Sequence, residues 1–207
     1  MNAGVAVWYQ LRGQATFDEK AVGIGLKLFK SDRRLEFTHT KFGRIDVLVC
    51  NAGVAPADLL LTMTTDEVLD AVLQANVRGT FLLCREVSKV MMLQQSGRII
   101  TVSSMAVGLH QEGTSAYSAS KSAIVEMTKI LAKELAPMGV TCNVLAPSMV
   151  MSDAVEVLGD VIIQGALDKL TIKRTVSIEE VANVISFFSA PASSCITGQV
   201  IHMGLVV

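Results

Sequence analysis

The sequence is short of cysteine, of aromatic residues and of net charge. The four cysteines, at positions 50, 84, 142 and 195, include no Cys-x-x-Cys pair, which argues against a zinc site and against a fold held together by disulfides. We expect no bound metal and four buried thiols in a reducing compartment. A formal net charge of −1 at pH 7 provides no basic field that would attract nucleic acid or anionic lipid.

Long apolar runs are missing as well. No run approaches the roughly 18 residues of a membrane-spanning helix, and the N-terminus lacks a basic segment followed by a hydrophobic stretch and a cleavage site. We therefore expect a cytoplasmic protein with no membrane partner. The 207 residues are 51% hydrophobic and 18% charged, which excludes a disordered chain and predicts one α/β domain over residues 1–207.

Strand-like and helix-like patterns alternate from residue 45 onward. The strand-like runs are short and almost uniformly apolar, as in strands buried on both faces, and occupy 45–50, 98–102, 140–145 and 199–203. Apolar residues at helical spacing fill 64–95, 117–135 and 177–188. This order predicts a doubly wound parallel sheet with helices on both faces.

Polar residues follow three of the predicted strands. The Asn51-Ala52-Gly53 turn follows one strand, Ser104 follows the next, and Pro147 follows a third. In an open parallel sheet, ligands bind outside the carboxyl ends of the strands. We therefore expect these residues to border the functional site.

Tyr117 and Lys121 are four residues apart at the start of a predicted helix, which puts them on one helical face. A free phenol, with a pKa of about 10, is a poor acid or base at neutral pH. A nearby ammonium would lower the pKa of Tyr117, and the Ser104 hydroxyl would hydrogen-bond the same substrate oxygen. The pattern predicts proton transfer to or from a carbonyl or alcohol oxygen, although an exposed tyrosine beside a solvated lysine has the same spacing.

Together these motifs resemble the short-chain dehydrogenase/reductase family over about residues 42–203. Residues 43–53 are similar to the family's fourth strand and its Asn-Ala-Gly motif, and 147–152 to the stretch that contacts the nicotinamide. The resemblance implies a Rossmann-like fold. Within the family the chain is most similar to β-ketoacyl-ACP reductases, on the segments 117–121, 135–137, 181–183 and 196–199.

The resemblance also implies a role for each site residue. Tyr117 would be the acid/base, Ser104 would anchor the carbonyl, and Lys121 would tune the pKa of Tyr117 and bind the nicotinamide ribose. Asn76 would hold a water in a proton relay to Lys121. The implied coenzyme is NADP or NAD, and the implied coenzyme-binding positions are Gly23, Gly25, Asn51, Ala52, Gly53, Tyr117, Lys121, Pro147, Val150 and Ser152.

The first 44 residues depart from the family pattern. Residues 5–11 fit a strand and 26–37 fit part of a helix. Gly23 and Gly25 are similar to the end of the family's Gly-rich turn, but Glu19 stands where its first glycine is expected and would bring a negative charge toward the pyrophosphate. The same Gly-x-Gly also fits an ordinary turn.

Two functions are consistent with these motifs. One is an NAD(P)-dependent oxidoreductase that interconverts a ketone and a secondary alcohol, similar to a 3-oxoacyl-ACP reductase. The other is a non-catalytic, truncated relative with weak or no dinucleotide binding, which the divergent N-terminal segment favours. We favour the enzyme because all four catalytic-type residues are present.

Further segments of the sequence predict a substrate lid and contacts with other proteins. Residues 153–175 carry an apolar face that suits a substrate lid, and core packing of a short helix explains the same pattern. Lys173 and Arg174 could meet an acidic carrier protein, yet two charges are also ordinary surface. The predicted helices 64–95 and 117–135 are apolar on more than one face, which predicts a homodimer or homotetramer.

Overall fold

The computed structural model describes residues 6–9, 43–56, 58–151, 155 and 159–207, with backbone only for 6–9. Some sequence predictions fall outside the described residues. They concern Gly23, Gly25, Ser152, Glu19 and the predicted helix at 26–37. The lid prediction at 153–175 is covered in part.

Within the described residues, parallel strands form a sheet in the order β1-β2-β3-β4-β5. Their bounds are Ala6–Tyr9, Val47–Cys50, Gly97–Val102, Val140–Pro147 and Val200–Met203. The register pairs Cys50 with Thr101, Val102 with Leu145, and Pro147 with Met203. Because the strands are parallel, their carboxyl ends meet at one edge, and the predicted parallel sheet is confirmed.

Helices cover both faces of the sheet. They are α1 (Asp66–Val72), α2 (Gly79–Gln94), α3 (Ala106–Leu109), α4 (Ser115–Leu135), α5 (Asp160–Leu167) and α6 (Ile178–Ser189). Short 3₁₀ turns occupy Leu61–Met63, Ala136–Met138 and Pro191–Ser193. The Rossmann-like α/β class predicted from the sequence is confirmed.

Side-chain caps define where two helices begin. At α6, Ser177 accepts from the backbone of Glu180 while the Glu180 side chain accepts from the backbone of Ser177, which satisfies two amides that the helix leaves free. At α1 the cap is Thr65, whose hydroxyl accepts from the Val68 amide at 3.4 Å. Glu180 also pairs with Arg174, which holds the pKa of that carboxyl at about 2.

The predicted helix over 64–95 contains an irregularity that its apolar spacing does not show. A π-helical turn, Leu73–Arg78, lies between α1 and α2 and widens the backbone hydrogen bonding to i+5. Asn76 is in the middle of this turn and is almost fully buried. Turns of this kind cluster at functional sites because they re-aim a side chain.

The core divides into two layers because side chains alternate across the strands. On one face, α2 and α4 pack on apolar residues that include Leu48, Cys50, Ile99 and Cys142. On the other face, Phe188 and Ile185 of α6 pack on Val49, Ile100 and Leu145. Because both faces of the sheet are covered, successive side chains of a strand are all buried, which explains the continuous apolar runs in the sequence.

Three of the four cysteines are buried as predicted, in the layer beneath α2 and α4. The prediction is wrong for Cys195, which is exposed because it follows the surface 3₁₀ turn rather than lying in a strand or helix. The Cys50 and Cys84 sulfurs are 3.9 Å apart. The hydrogen bond between them, together with burial, raises the pKa of Cys50 well above its usual value, so it is an unreactive thiol.

Helix α5 lies in the predicted lid. Its residues Val161 and Ile162 are 87% and 60% exposed, so the apolar face of this helix is not packed into the core. The lid itself stays a prediction. Among the described residues, no helix is long and apolar enough to cross a membrane.

Candidate active site

The loops that leave β3, β4 and β5 are tied together at the carboxyl edge of the sheet. The Met105 amide donates to the Pro147 carbonyl at 3.0 Å, and the Ser148 amide donates to the Met203 carbonyl at 2.9 Å. Ser104 is two residues beyond β3, and its Oγ accepts from the Ala106 amide at 3.2 Å where α3 begins. The sheet edge thus presents Ser104 on a braced loop.

Tyr117 and Lys121 lie in the first two turns of α4, as their spacing predicts. The Lys121 Nζ atom is 5.8 Å from the centre of the Tyr117 ring. It donates to the Val102 carbonyl at 2.9 Å, and Lys121 as a whole is only 5% exposed. Lys121 is therefore not the solvated surface lysine of the alternative interpretation.

Burial changes the acid–base properties of both residues. It lowers the pKa of Lys121 to about 8, since an ammonium taken out of water loses its hydration. Burial also raises the pKa of Tyr117, and the hydrogen bond with Ser104 offsets this only in part. We expected the pKa of Tyr117 to be lowered, but it is raised, because burial outweighs the hydrogen bond with Ser104.

Asn76 joins the site to the loop after β2. Its Oδ1 accepts from the Val54 amide at 2.8 Å, and its Nδ2 donates to the Val54 carbonyl at 3.0 Å and to Ser120 Oγ at 2.9 Å. Both amide hydrogens are therefore engaged. The Asn76 side chain clamps two elements together, and it has no donor left for a relay water.

Gly53 packs tightly against Asn76 and Lys121. A Cβ at Gly53 would lie 3.1 Å from Asn76 Oδ1 and 3.2 Å from Lys121 Nζ. The Asn-Ala-Gly turn at 51–53 therefore lets the backbone approach the buried ammonium. This contact explains in physical terms why the turn ends in glycine.

The predicted coenzyme positions divide into those at the sheet edge and those outside the described residues. Asn51, Ala52 and Gly53 follow β2, and Pro147 ends β4. Val150 lies just beyond β4 and bridges to Val176. Gly23, Gly25 and Ser152 are not described.

Three further polar residues, Ser103, Ser120 and Ser148, belong to the site, and no motif in the sequence marks them. Ser103 Oγ donates to the Lys121 carbonyl at 3.2 Å, and Ser120 contacts both Asn76 and Tyr117. The hydroxyl of Ser148 is buried without a hydrogen-bond partner in the described part of the chain. Among those residues, no three His, Cys, Asp or Glu side chains are placed to hold a metal ion.

Residues 31–204 match a short-chain dehydrogenase/reductase model whose description is enoyl-(acyl carrier protein) reductase. The chain belongs to the short-chain dehydrogenase/reductase family. This confirms the resemblance that the Asn-Ala-Gly and Tyr-x-x-x-Lys motifs carry.

Relatives in this family align with most of this chain. A 3-oxoacyl-[acyl-carrier-protein] reductase of Synechocystis sp. is 40% identical over 173 residues, covering 83% of this chain and 68% of that protein. The enzyme of the same description from Escherichia coli K12 is 33% identical over 169 residues, covering 82% and 69%.

The fold is shared with a solved structure of a coenzyme-bound protein. The structure described as ElxO with NADP bound is similar with a TM-score of 0.79 and 25% identity, covering 88% of this chain and 73% of that one.

Proposed function

We propose that this protein is an NADP- or NAD-dependent oxidoreductase that interconverts a ketone and a secondary alcohol, and that its substrate is a 3-oxoacyl group on acyl carrier protein. One observation carries the proposal. The buried Lys121 ammonium lies 5.8 Å from the ring centre of Tyr117, and Ser104 is close enough to the phenol to oppose the rise in its pKa. The reductases from Synechocystis and E. coli support the choice of substrate.

The residues at the sheet edge fit a nicotinamide coenzyme. Gly53 has no side chain, so its backbone lies close to the Lys121 ammonium, and the buried Ser148 hydroxyl has an unused hydrogen-bonding group. We assign the coenzyme to residues 51–53, Lys121, Pro147 and Val150, on the family resemblance. When bound, the coenzyme supplies the hydride that reduces the carbonyl carbon. The NADP in the ElxO structure supports NADP as one of the two coenzymes.

Tyr117 supplies the proton. Because burial raises its pKa, the phenol is protonated at neutral pH and can donate to the carbonyl oxygen as negative charge develops there. Ser104 donates a second hydrogen bond to the same oxygen. The phenolate left on Tyr117 is stabilised by the Lys121 ammonium, which is about half protonated near pH 8.

The exposed apolar residues of the helices support association with a second copy. Phe81 on α2 and Ile130 on α4 are 51% and 59% exposed. We infer a homodimer or homotetramer that covers these helix faces. We also infer that α5, through Val161 and Ile162, is part of a lid over the substrate, and that the protein is cytoplasmic.

The proposal is tested by mixing the purified protein with NADPH or NADH and a 3-oxoacyl thioester, and following loss of the reduced-nicotinamide absorbance. We expect turnover with at least one coenzyme. Absence of turnover together with absence of a nicotinamide fluorescence change on titration would identify the non-catalytic relative instead. Turnover of simple ketones but not of the thioester would restrict the proposal to the coarser reaction.

A further inference from the structure

Ser120 lies at the junction of three parts of the site. It is in α4 between Tyr117 and Lys121 and is completely buried. Its hydroxyl donates to the Tyr117 carbonyl at 2.7 Å and accepts from Asn76 Nδ2 at 2.9 Å. Through Asn76 the same chain of bonds reaches Val54 in the loop after β2.

The direction of every bond in this chain is determined by chemistry. Asn76 Oδ1 must face the Val54 amide because only an oxygen can accept from it, which turns Nδ2 toward Ser120. The Tyr117 carbonyl can only accept, so it takes the single Ser120 proton. The Ser120 oxygen is then free to accept from Asn76, and every donor in the chain is used once.

A substitution that removes this hydroxyl has two consequences. One Asn76 hydrogen is left buried without an acceptor, which is costly. In addition, the π-helical turn loses its bond to the start of α4, where the proton donor and the buried ammonium lie. Both consequences would change the positions of Asn76, Tyr117 and Lys121 relative to one another.

We propose that Ser120 is a positioning residue for the reaction, which holds the start of α4 against the π-helical turn through its bonds to Tyr117 and Asn76. The proposal rests on the proposed function. Ser120 does not touch the reacting atoms. It acts through the Tyr117 backbone and the Asn76 side chain.

Ser122 provides a matched control on the same helix. Its hydroxyl also donates to a backbone carbonyl one turn earlier, that of Ser118, at 2.9 Å. Among the described residues it makes no bond to the π-helical turn or to any other element. Ser122→Ala therefore removes the same chemical group without breaking a connection between elements.

The first measurement is steady-state kinetics of Ser120→Ala and Ser122→Ala. Misplacement of the proton donor lowers kcat, so we expect Ser120→Ala to lose about tenfold or more in kcat, with smaller changes in KM and in coenzyme affinity. Ser122→Ala should match wild type within about twofold in all three. Ser120→Cys keeps the size but hydrogen-bonds weakly, and is used if Ser120→Ala does not fold.

The second measurement does not depend on activity. The chain has two tyrosines, so a ¹³C-tyrosine NMR spectrum is simple, and Tyr117→Phe assigns the signal of Tyr117. We expect this signal to move in Ser120→Ala and not in Ser122→Ala. An unmoved signal, an equal movement in both variants, or a kcat within twofold of wild type in Ser120→Ala would overturn the proposal. Absence of turnover in the wild type would overturn the proposed function, and the NMR comparison would still decide the role of Ser120.

Discussion

Gly53 and Lys121 lie so close that a methyl group on Gly53 would be 3.2 Å from the lysine ammonium nitrogen. The same methyl would be 3.1 Å from Asn76 Oδ1, and both neighbours are buried and hydrogen-bonded, so a small shift of either one would disturb its hydrogen bonds. The turn after β2 and the catalytic helix are thus fitted to one another. Gly53 in the turn and Lys121 in the helix each limit the space open to the other.

Gly53→Ala therefore tests the packing at the site. We expect Lys121 and Asn76 to shift by a few tenths of an ångström, which lowers kcat by roughly tenfold. The folded fraction should be preserved because the backbone of Gly53 does not have a positive φ. Steady-state kinetics beside a melting curve measure both, and a fully active Gly53→Ala variant would contradict the tight contact.

The surroundings of Lys121 show which features of the site can be predicted from the sequence. The apolar runs predicted the strands, and the Tyr117 and Lys121 spacing predicted a shared helical face, since both depend on local periodicity. The burial of Lys121, its bond to Val102 and the bond between Ser120 and Asn76 depend on residues far apart in sequence. No local pattern shows them.

Two other differences between the sequence predictions and the structure also arise from features that a local pattern does not show. The π-helical turn leaves the apolar spacing of 64–95 unchanged, so the predicted helix had no visible irregularity. The pKa of Tyr117 was predicted from charge alone, and burial reversed its direction. Burial is a property of the folded chain and is hard to assign to one residue beforehand.

Lys121 should make stability depend on pH. Its pKa is lowered from 10.5 to about 8 in the folded protein, so the folded state bears the cost of the buried charge below pH 8. That cost is relieved as pH rises from 8 toward 10.5, and it amounts to about 3 kcal/mol.

Comparison with Lys121→Met isolates this effect, because the buried thiols Cys50 and Cys142 titrate in both proteins. Denaturant unfolding at pH 7.5 and pH 10 gives the free energy of each. We expect the stability of wild type relative to Lys121→Met to increase between these pH values. An unchanged or decreasing difference would show that Lys121 is not buried as a charged group.

Association is tested through the exposed apolar residues. Phe81→Glu and Ile130→Glu place charges on α2 and α4, and we expect each to shift the protein toward the monomer. Sedimentation velocity at micromolar concentration measures the species present. A wild-type monomer at that concentration would contradict the proposed homodimer or homotetramer.

The central claim is that Tyr117 gives its proton to the substrate oxygen, and Tyr117→Phe tests it most directly. The variant lacks only the phenolic hydroxyl, so we expect an unchanged melting curve and loss of ketone reduction by at least about a hundredfold. Steady-state turnover with the folded variant is the decisive measurement. If the folded Tyr117→Phe variant retains most of the wild-type turnover, the proton comes from another group and the account is contradicted.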